Sequence, residues 1–72
     1  MATPRFDREK RRLASSLRQH RTALDMTQEE AAQACHIAPR HYQKLEAGEV
    51  NITLRTLVRV AEAFRCEVKD LF

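Results

Sequence analysis

The chain has a single glycine, Gly48, and only two prolines, Pro4 and Pro39, among its 72 residues. Strands joined by tight hairpins draw heavily on Gly, Pro and Asn-Gly pairs, and a β-fold of this size needs several of them. So small a stock of turn residues predicts helices joined by short breaks, and hence an all-α fold. With 43% hydrophobic and 32% charged residues the chain is globular rather than disordered. At this length it forms one domain, near the lower limit at which a core stands alone. No apolar run approaches the ~18 residues of a membrane span, and no signal-peptide pattern is visible, so a cytoplasmic protein with no membrane partner is expected. Two cysteines, Cys35 and Cys66, make neither a disulfide framework nor a CxxC motif.

Five short helices are expected. Phe6, Leu13, Leu17 and Leu24 fall on one stripe at about 100° per residue, with arginines over the rest of the first helix. Thr3 before Pro4, or Asp7, can cap it, and residues 1–6 are also a candidate N-terminal arm. Thr27-Gln28-Glu29-Glu30 is a capping box that opens a second helix running to about Cys35, with Ala31, Ala32 and Cys35 inward. A third runs from about Pro39 to Ala47, and Gly48 supplies its left-handed stop. Thr53 caps a fourth, whose apolar residues Leu54, Leu57, Val58, Val60, Ala61 and Phe64 span about 160°, more than one core requires. Glu67 to Phe72 offers a fifth turn or two.

Charge is uneven. Residues 1–24 hold seven Lys/Arg against two acids, residues 25–48 two against four, and residues 49–72 four against four. A basic first helix points to a polyanion along one face. Only three or four residues separate helices two and three, the spacing of a helix-turn-helix at about residues 27–48. Projected on a wheel from Tyr42, Leu45 and Glu46 turn inward. Arg40, Gln43, Lys44 and Ala47 cluster at about 100–200° on the outward side. Arginine fits guanine O6/N7 and glutamine adenine N6/N7, both bidentately, whereas lysine more often meets phosphate. One such residue alone is ordinary surface; the cluster after a capped helix and a tight turn favours duplex DNA.

"MTQEEAAQACHIAPRHYQKLEAG" followed by "NITLRTLVRVAEAFRCEVKDLF" resembles the Cro/C1-type (XRE) helix-turn-helix family of bacterial and phage repressors, over about residues 10–72. The resemblance implies a five-helix, lambda repressor-like bundle that acts as a dimer on a palindromic operator. It implies phosphate contact and bracing of the recognition helix by Gln28. Base or nearby phosphate contact falls by that resemblance to Ala38, Pro39, Arg40, Gln43 and Lys44; His41 and Arg18 are further DNA-binding candidates, Arg18 as a phosphate contact. It also implies a structural ion pair between Arg21 and Glu46. The tail is similar to restriction–modification controller proteins; a phage repressor fragment and an antitoxin are the other forms considered. RNA polymerase is a candidate partner, no cofactor is expected, and a dimer interface is expected over about residues 52–72 through Ile52, Val58, Val68 and Phe72.

The sequence departs from the family where turns are made. His36 stands where glycine is usual, in a conformation that costs a non-glycine residue about 1 kcal/mol. Ala38 replaces the usual Ser/Thr cap, at roughly 1 kcal/mol, which Pro39 at the first helical position partly offsets. Tyr42 stands for isoleucine and Ala31 for leucine, a pairing that conserves volume. Cys35, His36 and His41 lack a fourth ligand at suitable spacing, so a buried thiol is expected rather than a metal site. No nucleophile is paired with a base and no phosphate-cradling glycine loop exists, which argues against an enzyme. The competing reading is an antitoxin-like or other protein-interaction module. It predicts a neutral or acidic outer face on helix three, opposite to Arg40 and Lys44. Seventy-two residues leave no room for a separate sensor domain, so a compact stand-alone regulator is expected.

Overall fold

The computed structural model describes residues 3–72. Thr3 Oγ1 accepts the Phe6 N–H at 3.0 Å and Pro4 takes the first helical position, so α1 (Pro4–Ala23) begins where a hydroxyl cap and a preset φ coincide. Positions 4–6 of the expected arm are therefore helical, and positions 1–2 lie outside the described residues. Thr27 opens α2 (Gln28–Ala34): its Oγ1 accepts the Glu30 N–H at 3.1 Å, and Glu30 returns to the Thr27 N–H at 2.8 Å. In α3 (Pro39–Glu46) Ala38 gives no side-chain cap. Thr53 Oγ1 caps α4 (Leu54–Ala63) through the Thr56 N–H at 3.1 Å.

All four α-helices stop in the same way. The first residue past each cap turns left-handed, at φ 57° for Asp25, 58° for His36, 72° for Gly48 and 57° for Arg65. The next N–H then reaches back to the carbonyl five residues earlier: Met26 to Arg21, Ile37 to Ala32, Glu49 to Lys44 and Cys66 to Ala61, at 3.0–3.2 Å except 2.9 Å for Ile37. These are Schellman stops. In three of them the residue that reaches back, Met26, Ile37 or Cys66, also packs on the core. Burial there offsets the strain of a side chain in left-handed backbone. Gly48 is the exception: the residue that reaches back there is Glu49, which is charged and exposed. A Cβ on Gly48 would sit 3.5 Å from the Arg11 backbone, ordinary contact, so glycine is needed for φ and not for space.

Helix α3 packs on α1 and α2, α4 packs on α2, and the C-terminal turn closes against α4 and α1. Leu17, Cys35, Tyr42, Val60 and Leu71 are the largest fully buried side chains. Ala31 and Ala32 are fully buried in the same cluster as Tyr42. Small side chains on α2 thus share one close-packed interior with a large ring from α3.

Two expectations need correction. Among the described residues there are four α-helices and one 3-10 turn, Val68–Leu71, rather than five α-helices. The final segment has length for one turn only. Its short bonds, Asp70 N–H to Glu67 O at 2.9 Å and Phe72 N–H to Lys69 O at 3.3 Å, still seat Leu71 fully inside. The apolar stripe of α1 is also shorter in effect than its periodicity suggests. Phe6 and Leu24 are 40% and 44% exposed, while Leu13, Ala14 and Leu17 meet the core. A helix of 20 residues is about 30 Å long, and Phe6 and Leu24 stand near its two ends, where less of the bundle covers them.

Arg65 is exposed and carries the left-handed stop of α4. Replacing it by glycine removes about 1–2 kcal/mol of backbone strain and returns part of that as unfolded-chain entropy. Arg65→Gly should therefore raise the urea unfolding free energy by roughly 0.5–1 kcal/mol; a loss of stability would show that its side chain does more than turn the backbone.

Candidate nucleic-acid interface

The outer side of the α2–turn–α3 unit is built by what its inner side must hold. Tyr42, Leu45 and Glu46 are the buried residues of α3, at 0%, 4% and 4% exposure. Because they occupy one side of a two-turn helix, Arg40, Gln43, Lys44 and Ala47 are all exposed on the other. Ala38, Pro39 and His41 at its start are exposed as well. Ala38 provides no side-chain acceptor, so the first turn directs its backbone N–H groups outward, the positive end of the helix dipole. The surface is thus cationic and donor-rich, with two small residues, Ala38 and Ala47, that allow a close approach.

Behind it lies a polar clamp. Arg21 Nε donates to Glu46 Oε2 at 2.7 Å and Arg21 Nη2 to Glu46 Oε1 at 3.1 Å, a bidentate pair whose side chains are 14% and 2% exposed. Arg21 Nη1 also donates to the Met26 carbonyl at 2.8 Å. Gln28 Nε2 donates to Glu46 Oε1 at 3.1 Å. One carboxylate on α3 therefore gathers the end of α1, the first residue of α2 and, through Arg21, the turn between them. Burial by itself raises the Glu46 pKa, but hydrogen bonds from Arg21 and Gln28 and the guanidinium charge outweigh it and hold the carboxyl below its usual value. The Tyr42 hydroxyl is buried near this carboxylate and makes no hydrogen bond of good geometry. Burial first, then the neighbouring carboxylate, raises its pKa, so the phenol stays neutral.

Arg18 is exposed on α1 one turn before Arg21. Gln28 is half-buried, its amide turned to Glu46. Of the residues expected at a dimer interface, Val58 and Phe72 are 39% and 55% exposed, whereas Ile52 and Val68 are partly buried against the monomer core. Leu54, 72% exposed, is the apolar surface residue that periodicity assigned to the general arc of α4 and not to this group. Burial pushes the Cys35 thiol up to about 11. Among the described residues no cluster of three or more His, Cys, Asp or Glu is placed to hold a metal ion, and no helix is long and apolar enough to cross a membrane.

The helix-turn-helix family profile matches residues 17–71. The chain belongs to that family, in its Cro/C1-type branch. It is a family of DNA-binding transcriptional regulators. Among solved structures, this helix-turn-helix chain is similar to the restriction-modification controller protein C.AhdI from Aeromonas hydrophila, with TM-score 0.86, 26% identity, and 89% of this chain and 97% of that one covered. It is also similar to the clp gene regulator ClgR from Corynebacterium glutamicum, with TM-score 0.81 and 27% identity. That likeness covers 86% of this chain and 66% of the regulator. No curated protein sequence matches the chain.

What residue-by-residue reading of this helix-turn-helix could not supply was the junction at Met26. Its carbonyl is an acceptor for Arg21, and a carbonyl leaves no trace in the side-chain pattern. The left-handed turn at Asp25 comes just before that carbonyl, and it too is a feature of the folded backbone that the side-chain pattern does not show.

Glu46→Ala should cost up to about 3–5 kcal/mol, because it leaves Arg21 largely buried without its partner. The double variant with Arg21→Ala should cost less than the sum, a coupling that urea melts read directly. The pH dependence has a definite sign. A folded-state pKa held below the unfolded value of about 4.3 gives stability that is complete above that pH and lost as pH falls through the folded value. Wild type should therefore lose stability below about pH 4 more steeply than Glu46→Gln; parallel acid profiles would show that the carboxylate is not held in its charged form.

Proposed function

We propose that the protein is a sequence-specific regulator of transcription that binds duplex DNA as a homodimer on a palindromic operator, in the cytoplasm. The observation that carries this reading is the division of α3 into two sides. One is locked by Tyr42, Leu45 and the Arg21–Glu46 pair. The other presents Arg40, Gln43 and Lys44 to solvent. A helix held this rigidly with these donors outward suits the major groove. Arg40 near its start reads guanine, Gln43 reads adenine, and Lys44 meets a phosphate at the groove edge. Pro39 has no N–H to donate and can only make apolar contact, suited to a thymine methyl. The remaining N–H of Gln28, the uncapped first turn of α3, His41 and Arg18 complete the backbone contacts in this reading. The likeness to a restriction-modification controller protein makes control of such a system the favoured regulatory role, with RNA polymerase as the machinery that is blocked or recruited.

A dimer is supported by apolar surface that the monomer leaves open. Leu54, Val58 and Phe72 are exposed by 72%, 39% and 55%. Pooled from two copies related by a two-fold axis, these side chains make a self-complementary patch. One recognition helix reads a few base pairs; two set about 34 Å apart read successive turns of the same groove.

Arg40→Ala should weaken operator binding by about 1–3 kcal/mol and relax the preference at one base pair per half-site, while Lys44→Ala should weaken all sequences more evenly. Selection of bound sequences from random duplexes, repeated with each variant, reads both effects. An unchanged preference profile for Arg40→Ala would mean that α3 docks otherwise. In sedimentation at micromolar concentration, wild type should be a dimer and Val58→Asp a monomer; a monomeric wild type would remove the dimer from the proposal.

A further inference from the structure

The first three turns of α1 carry Arg5, Arg8, Lys10, Arg11 and Arg12, more charge than the helix-turn-helix uses, and they precede the segment that the family profile matches. Measured from buried Leu13 at about 100° per residue, Arg11, Arg8, Arg12 and Arg5 lie at about 160°, 220°, 260° and 280°. The two acids of this stretch fall outside that arc, Asp7 at about 120° and Glu9 at about 320°. Asp7 is spent on Lys10, 3.5 Å away, and Lys10 also covers the Phe6 ring at 5.1 Å. Glu9 approaches Arg12 only to 3.9 Å, with side chains 44% and 66% exposed, a pair that solvent screens. Among the described residues Arg5, Arg8 and Arg11 have no acidic partner within 4.0 Å. All four arginines of the arc are exposed. Charge has thus been segregated along the helix, with acids at the borders and an uninterrupted cationic strip between them.

The strip has a definite position relative to α3. The stem of Arg11 lies beside Gly48, the residue that ends α3. The cationic arc therefore begins at the end of the recognition helix and continues along α1 away from it. From Arg5 to Arg12 it runs roughly 10 Å, a length over which duplex DNA presents on the order of six phosphate charges.

We infer that the arginine strip on the N-terminal half of α1 binds the phosphate backbone of the same duplex outside the base pairs that α3 reads, without sequence preference. This rests on the reading that α3 docks in the groove of duplex DNA. Its effect is to lengthen the footprint: the helix-turn-helix selects the sequence, and α1 adds affinity from flanking DNA.

The test compares wild type with the triple variant Arg5→Gln, Arg8→Gln, Arg12→Gln. Arg11 is left in place because its stem packs at Gly48. Glutamine keeps helix propensity close to that of arginine, and thermal melts check that the fold is kept. Each protein is titrated with two duplexes, one limited to the selected operator and one extended by random sequence on both sides. Wild type should bind the extended duplex at least several-fold more tightly at low salt. The triple variant should lose that advantage while keeping its affinity for the short duplex and its base preferences. Its log–log salt slope on extended DNA should be shallower by about 0.9 for each arginine engaged. The inference is overturned if the variant retains the benefit of the flanks, or if it weakens equally on both duplexes. It is also overturned if wild type, and not the variant, bridges two separate duplexes, which would place the strip on a second molecule of DNA. Failure of wild type to bind any duplex would instead remove the reading of α3 itself.

Discussion

The structure turns on one carboxylate. Glu46 sits near the end of the recognition helix, almost wholly buried, and is satisfied only because Arg21 and Gln28 reach it from two other elements. A buried charge of this kind is a poor source of net stability, since its desolvation offsets most of the attraction. What it supplies is direction. A bidentate guanidinium fixes both the distance and the angle between its partners, so α3 is set against α1 with little freedom to roll. The outward face of α3 follows from that setting. Had Leu45 and Tyr42 alone held the helix, apolar contact would fix its depth but constrain its rotation far less, and a face that reads base edges tolerates little rotation.

Much of this was legible in the sequence because the relevant signals are local. The Thr27–Glu30 box, the Thr53 cap and the Gly48 stop each lie within a few residues of the structure they specify, and each forms as its residues indicate. The wheel placed Tyr42 and Leu45 inside and Arg40, Gln43 and Lys44 outside for the same reason: one helical repeat decides them. Where the reading ran long, the missing information was tertiary. Phe6 and Leu24 keep the period of the buried stripe but are not fully covered, since periodicity records which way a side chain points and not whether anything lies there. The final segment shows the same limit. Its apolar pattern suits an α-helix or a 3-10 turn, and only the need to seat Leu71 in a short span selects the latter.

The scarcity of glycine had a different resolution from the one composition suggests. Helix stops do not require glycine; they require a left-handed residue that something else keeps in place. Met26, Ile37 and Cys66 do so by packing on the core just after Asp25, His36 and Arg65. A reader who looks for glycine finds one helix end. A reader who looks for an apolar residue three positions past a helix finds three more.

The uneven burial along α1 gives one helix two different stabilities. Around Leu17 and Arg21 it is bound into the core and the clamp, so its amides there are expected to be the best protected of the helix. Toward Pro4 the helix is held by its cap, by Lys10 over Phe6, by its own hydrogen bonds and by the shallow groove that Phe6 lines with Ile52 and Phe72. With fewer buried side chains, those turns are expected to open at a lower free energy than the rest of the helix. The most cationic stretch of the molecule thus has two holds of unequal strength: Arg11 is seated beside Gly48 at the end of the recognition helix, while Arg5 and Arg8 stand on turns with fewer buried side chains.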